Sequence, residues 1–132
     1  MKRLPAFSIL LLLSGLLTVS AQKSNIPPEI SLAFKAGNVE TLSNYLNSTV
    51  ELVILDKEDF YNKNLAEGII KDFFKTHQTV DFVIKHQGGK NDAYYAIGDL
   101  QTKNGDFRVY FLIKKVDSKP LIHQLRIERN AE

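Results

Sequence analysis

The stretch YYAIGDLQTKNGDFRVYFLIKKVDSKPLIHQLRIER, Tyr94 to Arg129, decides how this chain folds. It contains three runs of strand length, Ala96 to Thr102, Phe107 to Val116 and Leu121 to Glu128, separated by turn-forming residues. Asn104-Gly105 is the strongest short hairpin signal in the chain, because both residues tolerate positive φ. A two-residue turn there sets Lys103 against Asp106. It then aligns Thr102, Leu100, Gly98 and Ala96 with Phe107, Val109, Phe111 and Ile113, which makes one face of the sheet apolar. This is the inner face.

The last hairpin admits two registers. A two-residue loop at Asp117-Ser118 groups Leu121, Leu125 and Ile127 with Arg108 and Tyr110. A three-residue loop, Asp117-Ser118-Lys119, groups them with Val109, Phe111 and Ile113 instead. Burial favours the second, since a slip of one residue turns a whole apolar set to water. His123 then falls on the inner face at the same end as Tyr94, and His86 joins them if the Gly88-Gly89 loop has odd length. Ala96 and Gly98 leave room beside these residues for a covering Phe82 or for a ligand, so Tyr94, His123 and His86 are the candidate ligand-binding residues. The outer face carries Tyr95, Ile97, Tyr110, Leu112 and Ile122 among Asp99, Arg108, Arg126 and Glu128. That mixture of tyrosine, arginine and aliphatic side chains has the composition of an interface.

The upstream half supplies a cover for the inner face. Pro28-Glu29 suits a helix start, Ile30, Ala33 and Phe34 share a side, and Gly37 suits a cap. Asn38 caps a second short helix with Val39, Leu42 and Leu46 as its stripe. Val50 to Leu55 reads as a strand, Asp56 to Asp59 as a solvated turn, and Phe60-Tyr61 as a short return. Asn64 and Glu67 have capping-box spacing, and the longest helix runs from there to about Thr76. Gly68 inside it costs about 1 kcal/mol against alanine, which points to close approach of another backbone. Val80 to His86 alternates as a strand, and Gly88-Gly89-Lys90-Asn91 turns it back.

Lys2 and Arg3, the apolar run Phe7 to Leu17 and the small residues Val19-Ser20-Ala21 have the layout of an export signal, residues 1–21. One domain, residues 22–132, is expected to follow, in the periplasm or outside the cell. The run is shorter than the roughly 20 residues that span a bilayer, so no stable membrane anchor is expected. Two of the 17 Lys and Arg lie in the signal, which leaves 15 against 15 Asp and Glu. A neutral domain lacks the field that gathers polyanions, so nucleic acid is not an expected partner. The chain has no cysteine, which excludes disulfides and thiolate metal sites.

The order helix, helix, strand, helix and then a curved run of strands resembles the nuclear transport factor 2-like fold, the cone-shaped α+β architecture shared with ketosteroid isomerase and dehydratases. Ile54-Leu55-Asp56-Lys57-Glu58-Asp59, Lys71-Asp72-Phe73-Phe74, Tyr95-Ala96-Ile97-Gly98, Phe107 to Leu112 and Gln124-Leu125-Arg126-Ile127-Glu128 resemble a domain-of-unknown-function family of small exported Bacteroidota proteins. The resemblance implies three helices on a strongly curved, mainly antiparallel sheet, and it implies no activity.

Acid-base chemistry of the isomerase kind needs a carboxylate in the apolar pocket, and none falls on the inner face. A buried, hydrogen-bonded core histidine is the plainer reading of His123. His77, His86 and His123 match no metal-ligand spacing, and Gly88-Gly89-Lys90 precedes a strand where a phosphate loop needs a helix. No cofactor, metal or catalytic residue is therefore expected. The expectation is a non-catalytic binding or interaction module, holding a small apolar ligand in the cone or pairing as a homodimer through the outer face. An isomerase or dehydratase using Tyr94 and His123, or an accessory subunit of an envelope assembly, are the alternatives.

Overall fold

The computed structural model describes residues 25–130. The expected export signal, residues 1–21, lies outside the described residues. α1 (Pro28–Ala36) has proline in its first turn and ends on Gly37 at φ 66, a left-handed cap that costs glycine little. α2 (Val39–Ser43) follows at once, capped by Asn38, whose side chain accepts from the Thr41 amide at 3.1 Å. Then come β1 (Leu46–Ile54), β2 (Lys57–Asn62), α3 (Lys63–Thr76), β3 (Thr79–Lys90), β4 (Ala93–Thr102), β5 (Gly105–Val116) and β6 (Lys119–Arg129). The strands form one sheet in the order β2-β1-β6-β5-β4-β3, in which only β1 and β6 run parallel. The protein is an α+β domain of three helices on a six-stranded sheet, as the sequence pattern implies.

The helices bury their apolar stripes on the inner face. Ile30, Ala33 and Phe34 of α1 and Ala66, Ile70 and Phe73 of α3 join Leu100, Phe107, Val109, Phe111, Ile113, Leu125 and Ile127 in one core. Phe34 lies at its centre, stacked on Phe111 at 5.8 Å and tilted against Phe82 at 5.0 Å. Phe82 fills the room left by Gly98: a Cβ there would stand 2.6 Å from its ring. The space that could have held a ligand beside Gly98 is therefore occupied by a side chain.

Several local expectations are corrected. The long helix is capped by Asn62, accepting from the Leu65 amide at 2.9 Å, so it starts ahead of the Asn64 capping box. Gly68 faces open space, with nothing within 4 Å of a Cβ, so no backbone approaches it. Three residues of the Asp56 to Asp59 tetrad belong to β2, because an edge strand can leave its side chains in water. Gly88 and Gly89 lie within β3, and the turn moves on to Asn91, which takes φ 61. The β4–β5 hairpin closes at Lys103-Asn104, pairing Thr102 with Gly105 and Leu100 with Phe107. Thr102 Oγ1 donates to the Gly105 carbonyl at 2.7 Å and accepts from the Asn104 amide, which holds that tighter turn. The shift of two residues preserves the face of every side chain.

The last hairpin is corrected in kind. Its loop has two residues, Asp117 and Ser118, at φ 52 and 69, and Val116 pairs with Lys119. A bulge then intervenes: Ile113 pairs with Ile122 and Leu112 with Gln124, leaving His123 as the extra residue. The bulge returns Leu125 and Ile127 to the inner face, which is the outcome burial demanded, while Ile122 points inward and Leu121 pairs with Lys114.

Both sheet edges carry the same small device. The Phe60 amide donates to Asp59 Oδ1 at 2.7 Å on β2, and the Phe82 amide to Asp81 Oδ1 at 2.9 Å on β3. Each aspartate occupies an edge-strand amide, and two register shifts further break the β3 edge.

Two substitutions separate core from surface in thermal or urea unfolding. Phe34→Ala should lower stability by about 3–5 kcal/mol through the cavity it leaves. Gly68→Ala should raise it by about 0.5–1 kcal/mol, since only helix propensity and chain entropy change there.

Candidate functional site

The outer face of the sheet is built from cross-strand rows. Tyr95 lies opposite Leu112, which pairs with Gln124, then Glu51 and Phe60. The next row runs Ile97, Tyr110, Arg126, Val53, and the one beyond it Asp99, Arg108, Glu128. Tyr95 and Tyr110 stack at 6.3 Å, and the Tyr95 ring lies over Gly88, where a Cβ would stand 3.0 Å from it. The absence of a side chain at Gly88 is what lets that ring lie flat. Charge closes the rows: Gln124 Nε2 donates to Glu51 Oε1 at 2.6 Å, and Arg126 reaches Glu128 at 3.7 Å. Ile97, Arg108, Tyr110, Gln124, Arg126 and Glu128 line a shallow depression of about 410 Å³ at the centre.

Of the residues expected on this face, Tyr95, Ile97, Tyr110 and Leu112 are brought together, each half-buried. Ile122 is not among them; the two-residue loop sets it opposite Ile113, so it points inward and is fully buried against the core. Glu51 and Phe60 join the face unforeseen, because the parallel pairing of β1 with β6 spans 73 residues of sequence between Glu51 and Gln124. Phe60 is 67% exposed, and an exposed phenylalanine in a charged edge strand was the signal that could have found it.

The three candidate ligand residues do not form a common pocket wall. His86 pairs with Ile97 and so belongs with the outer rows, because β3 is bulged between Ile84 and His86 and its turn is even. Tyr94 is on the inner side, partly buried against the core, and its hydroxyl donates to the Asn91 carbonyl at 2.6 Å. His123 sits in the bulge of β6, separated from Tyr94 on β4 by the whole of β5. Its Nε2 is buried and has no hydrogen-bond partner. Burial, then the positive charge of Lys114, lower the His123 pKa below its usual 6.5, partly offset by a hydrogen bond to the Lys114 backbone. The ring is thus held neutral. Among the described residues, no group of three or more His, Cys, Asp or Glu side chains converges as a metal site.

The model of the domain of unknown function DUF4783 matches residues 27–128 of this chain. The chain belongs to the DUF4783 family. A crystal structure of a DUF4783 protein from Bacteroides uniformis is 40% identical, with a TM-score of 0.78 over 82% of this chain and 100% of that one. At the level of fold alone, a solved protein whose name carries the NTF2 designation has a TM-score of 0.62 at 15% identity, over 76% of this chain and 90% of its own. A Nostoc punctiforme domain of unknown function with a cystatin-like fold has a TM-score of 0.63 at 13% identity, over 80% of this chain and 73% of its own. No curated protein matches. The cone-type α+β resemblance and the family resemblance are both met, and membership of a family of unknown function assigns no role.

The neutral His123 has a pH signature. The unfolded chain takes up the histidine proton near 6.5 and the folded chain only below that, so acid favours unfolding through this residue. The stability contribution is fully present above 6.5 and is lost as pH falls through the lower folded pKa. Replacing His123→Gln should flatten that part of the stability-against-pH curve. An NMR titration of the ring giving a pKa above 6.5 would contradict it.

Proposed function

We propose that this DUF4783 protein is a non-catalytic interaction module of the cell envelope, exported by its N-terminal signal, that pairs with a second copy of itself through the outer face of its sheet. The observation that carries this reading is the Tyr95–Tyr110 stack with Ile97 and Leu112 beside it. Aromatic and aliphatic groups of this kind, ringed by charge, are the anchors of protein interfaces. A second copy is the favoured occupant because the rim carries both signs, Arg108 and Arg126 against Asp99, Glu51 and Glu128. Turned about a two-fold axis, such a surface can set its own arginines against its own carboxylates. An occupied amide on each edge strand, with two register shifts in β3, favours a face as the mode of association over strand addition.

A second reading rests on His123, whose buried Nε2 lacks a partner. It gives a small ligand with a hydrogen-bond donor something to bind. The filled interior around Phe34 and Phe82, and a Tyr94 hydroxyl already engaged with Asn91, weigh against an isomerase or dehydratase there.

Sedimentation equilibrium of the protein up to high micromolar concentration tests the first reading. A dimer is expected, and Tyr110→Glu should weaken it by roughly 30-fold or more, the cost of about 2 kcal/mol at an anchor. A wild-type monomer across that range would refute the pairing.

A further inference from the structure

A second concavity lies on a different part of the molecule, between the C-terminal half of α3 and the β1–β2 turn, with a volume of about 330 Å³. Its floor is apolar. Ile54 and Phe73 belong to the core and show only an edge, while Leu55 and Ile69 are half-buried and complete the surface. Leu55 holds the turn at φ 55, an uncommon conformation for a branched side chain. The Leu55 amide donates to the Ile127 carbonyl at 3.0 Å, so the turn is tied to β6 and the wall it forms is fixed.

Lys57 apart, the polar groups around this floor are carboxylates and the carbonyl end of a helix. Asp56 comes from the turn and Asp72 from the helix, three residues beyond Ile69 and on the same side of α3. The wall also contains the end of α3, a helix of 14 residues, where the macrodipole places partial negative charge. His77 closes that end, stacked on Phe73 at 4.4 Å and edge-on to Phe107 at 5.1 Å. Its Nδ1 lies 3.0 Å from the Phe73 carbonyl, which can only accept, so Nδ1 carries the proton. Thr76 Oγ1, 2.8 Å from the same nitrogen, spends its own proton on the Asp72 and Phe73 carbonyls and accepts here too. Lys57 is the one basic residue of the lining, against two carboxylates.

We infer that this groove is a binding site for a small amphiphilic cation: an aliphatic chain of several carbons lying on Leu55, Ile69 and Phe73, with an ammonium head among Asp56, Asp72 and the end of α3. The inference is independent of the outer-face dimer, whose anchors Tyr95, Ile97, Tyr110 and Leu112 lie on β4 and β5. Neutral and anionic chains of the same length meet the same floor but gain nothing, or lose, at the rim. The head therefore decides the selectivity.

The test uses hexylamine, 1-hexanol and hexanoate at neutral pH, each titrated into the isotopically labelled protein and followed by amide chemical shifts. Hexylamine should give saturable shifts at Leu55, Ile69 and Thr76, and bind about fivefold or more tightly than hexanol, the yield of roughly 1 kcal/mol from two exposed carboxylates and a helix end. Asp72→Asn, an exposed position whose loss leaves the core intact, should weaken hexylamine about twofold to threefold and leave hexanol unchanged. Equal affinity for hexanoate, equal affinity for hexanol, or no saturable shift with hexylamine would each overturn the assignment.

Discussion

The contact of Phe34 with the inner face of the sheet is the interaction on which the rest depends. α1 is only 9 residues long and α2 only 5, too short to hold helical structure without a surface to pack on. The sheet in turn has an inner face of phenylalanine, valine, isoleucine and leucine that water would not tolerate. Phe34 meets Phe82, Phe111 and Phe74, so one ring ties the first helix to two strands of the sheet and to the long helix. Gly98 makes this arrangement fit, because only a residue without Cβ lets Phe82 lie so low on β4.

Filling the interior has a consequence for function. In a cone-shaped α+β domain the natural place for a ligand is between helices and sheet, and here that place is taken up by aromatic rings. Both contacts proposed above accordingly lie on surfaces: the tyrosine-bearing outer face, and the groove beside α3. The His123 bulge stands between these two outcomes. It follows Ile122, which the two-residue loop already faces inward, and returns Leu125 and Ile127 to the same side, and it leaves one histidine with a ring nitrogen unpaired in the sheet.

The face of nearly every strand residue was legible from the sequence, and the registers were not, for one physical reason. Side chains alternate with a period of two, so moving the Asn104-Gly105 turn back to Lys103-Asn104 changes partners without changing faces. Tyr95, Ile97, Tyr110 and Leu112 were placed correctly on that basis. Burial also required Leu125 and Ile127 to face inward, and they do. What the pattern could not show is how: an odd loop and an even loop followed by a bulge satisfy the same requirement, and they differ at Leu121, Ile122 and His123. His86 failed for the same reason, through the bulge ahead of it in β3. The groove beside α3 was invisible because Leu55 and Ile69 meet only through the packing of the helix on β1.

The central claim is that this sheet has one filled face and one face made for a second copy. An isotope-filtered NOE experiment on a mixture of labelled and unlabelled protein reads that contact directly. Cross-peaks between the Tyr95 or Tyr110 ring protons of one copy and the Ile97 or Leu112 methyls of the other are the predicted result. Intermolecular cross-peaks confined to helix residues such as Leu32 and Leu65, or none at concentrations where a dimer sediments, would contradict it.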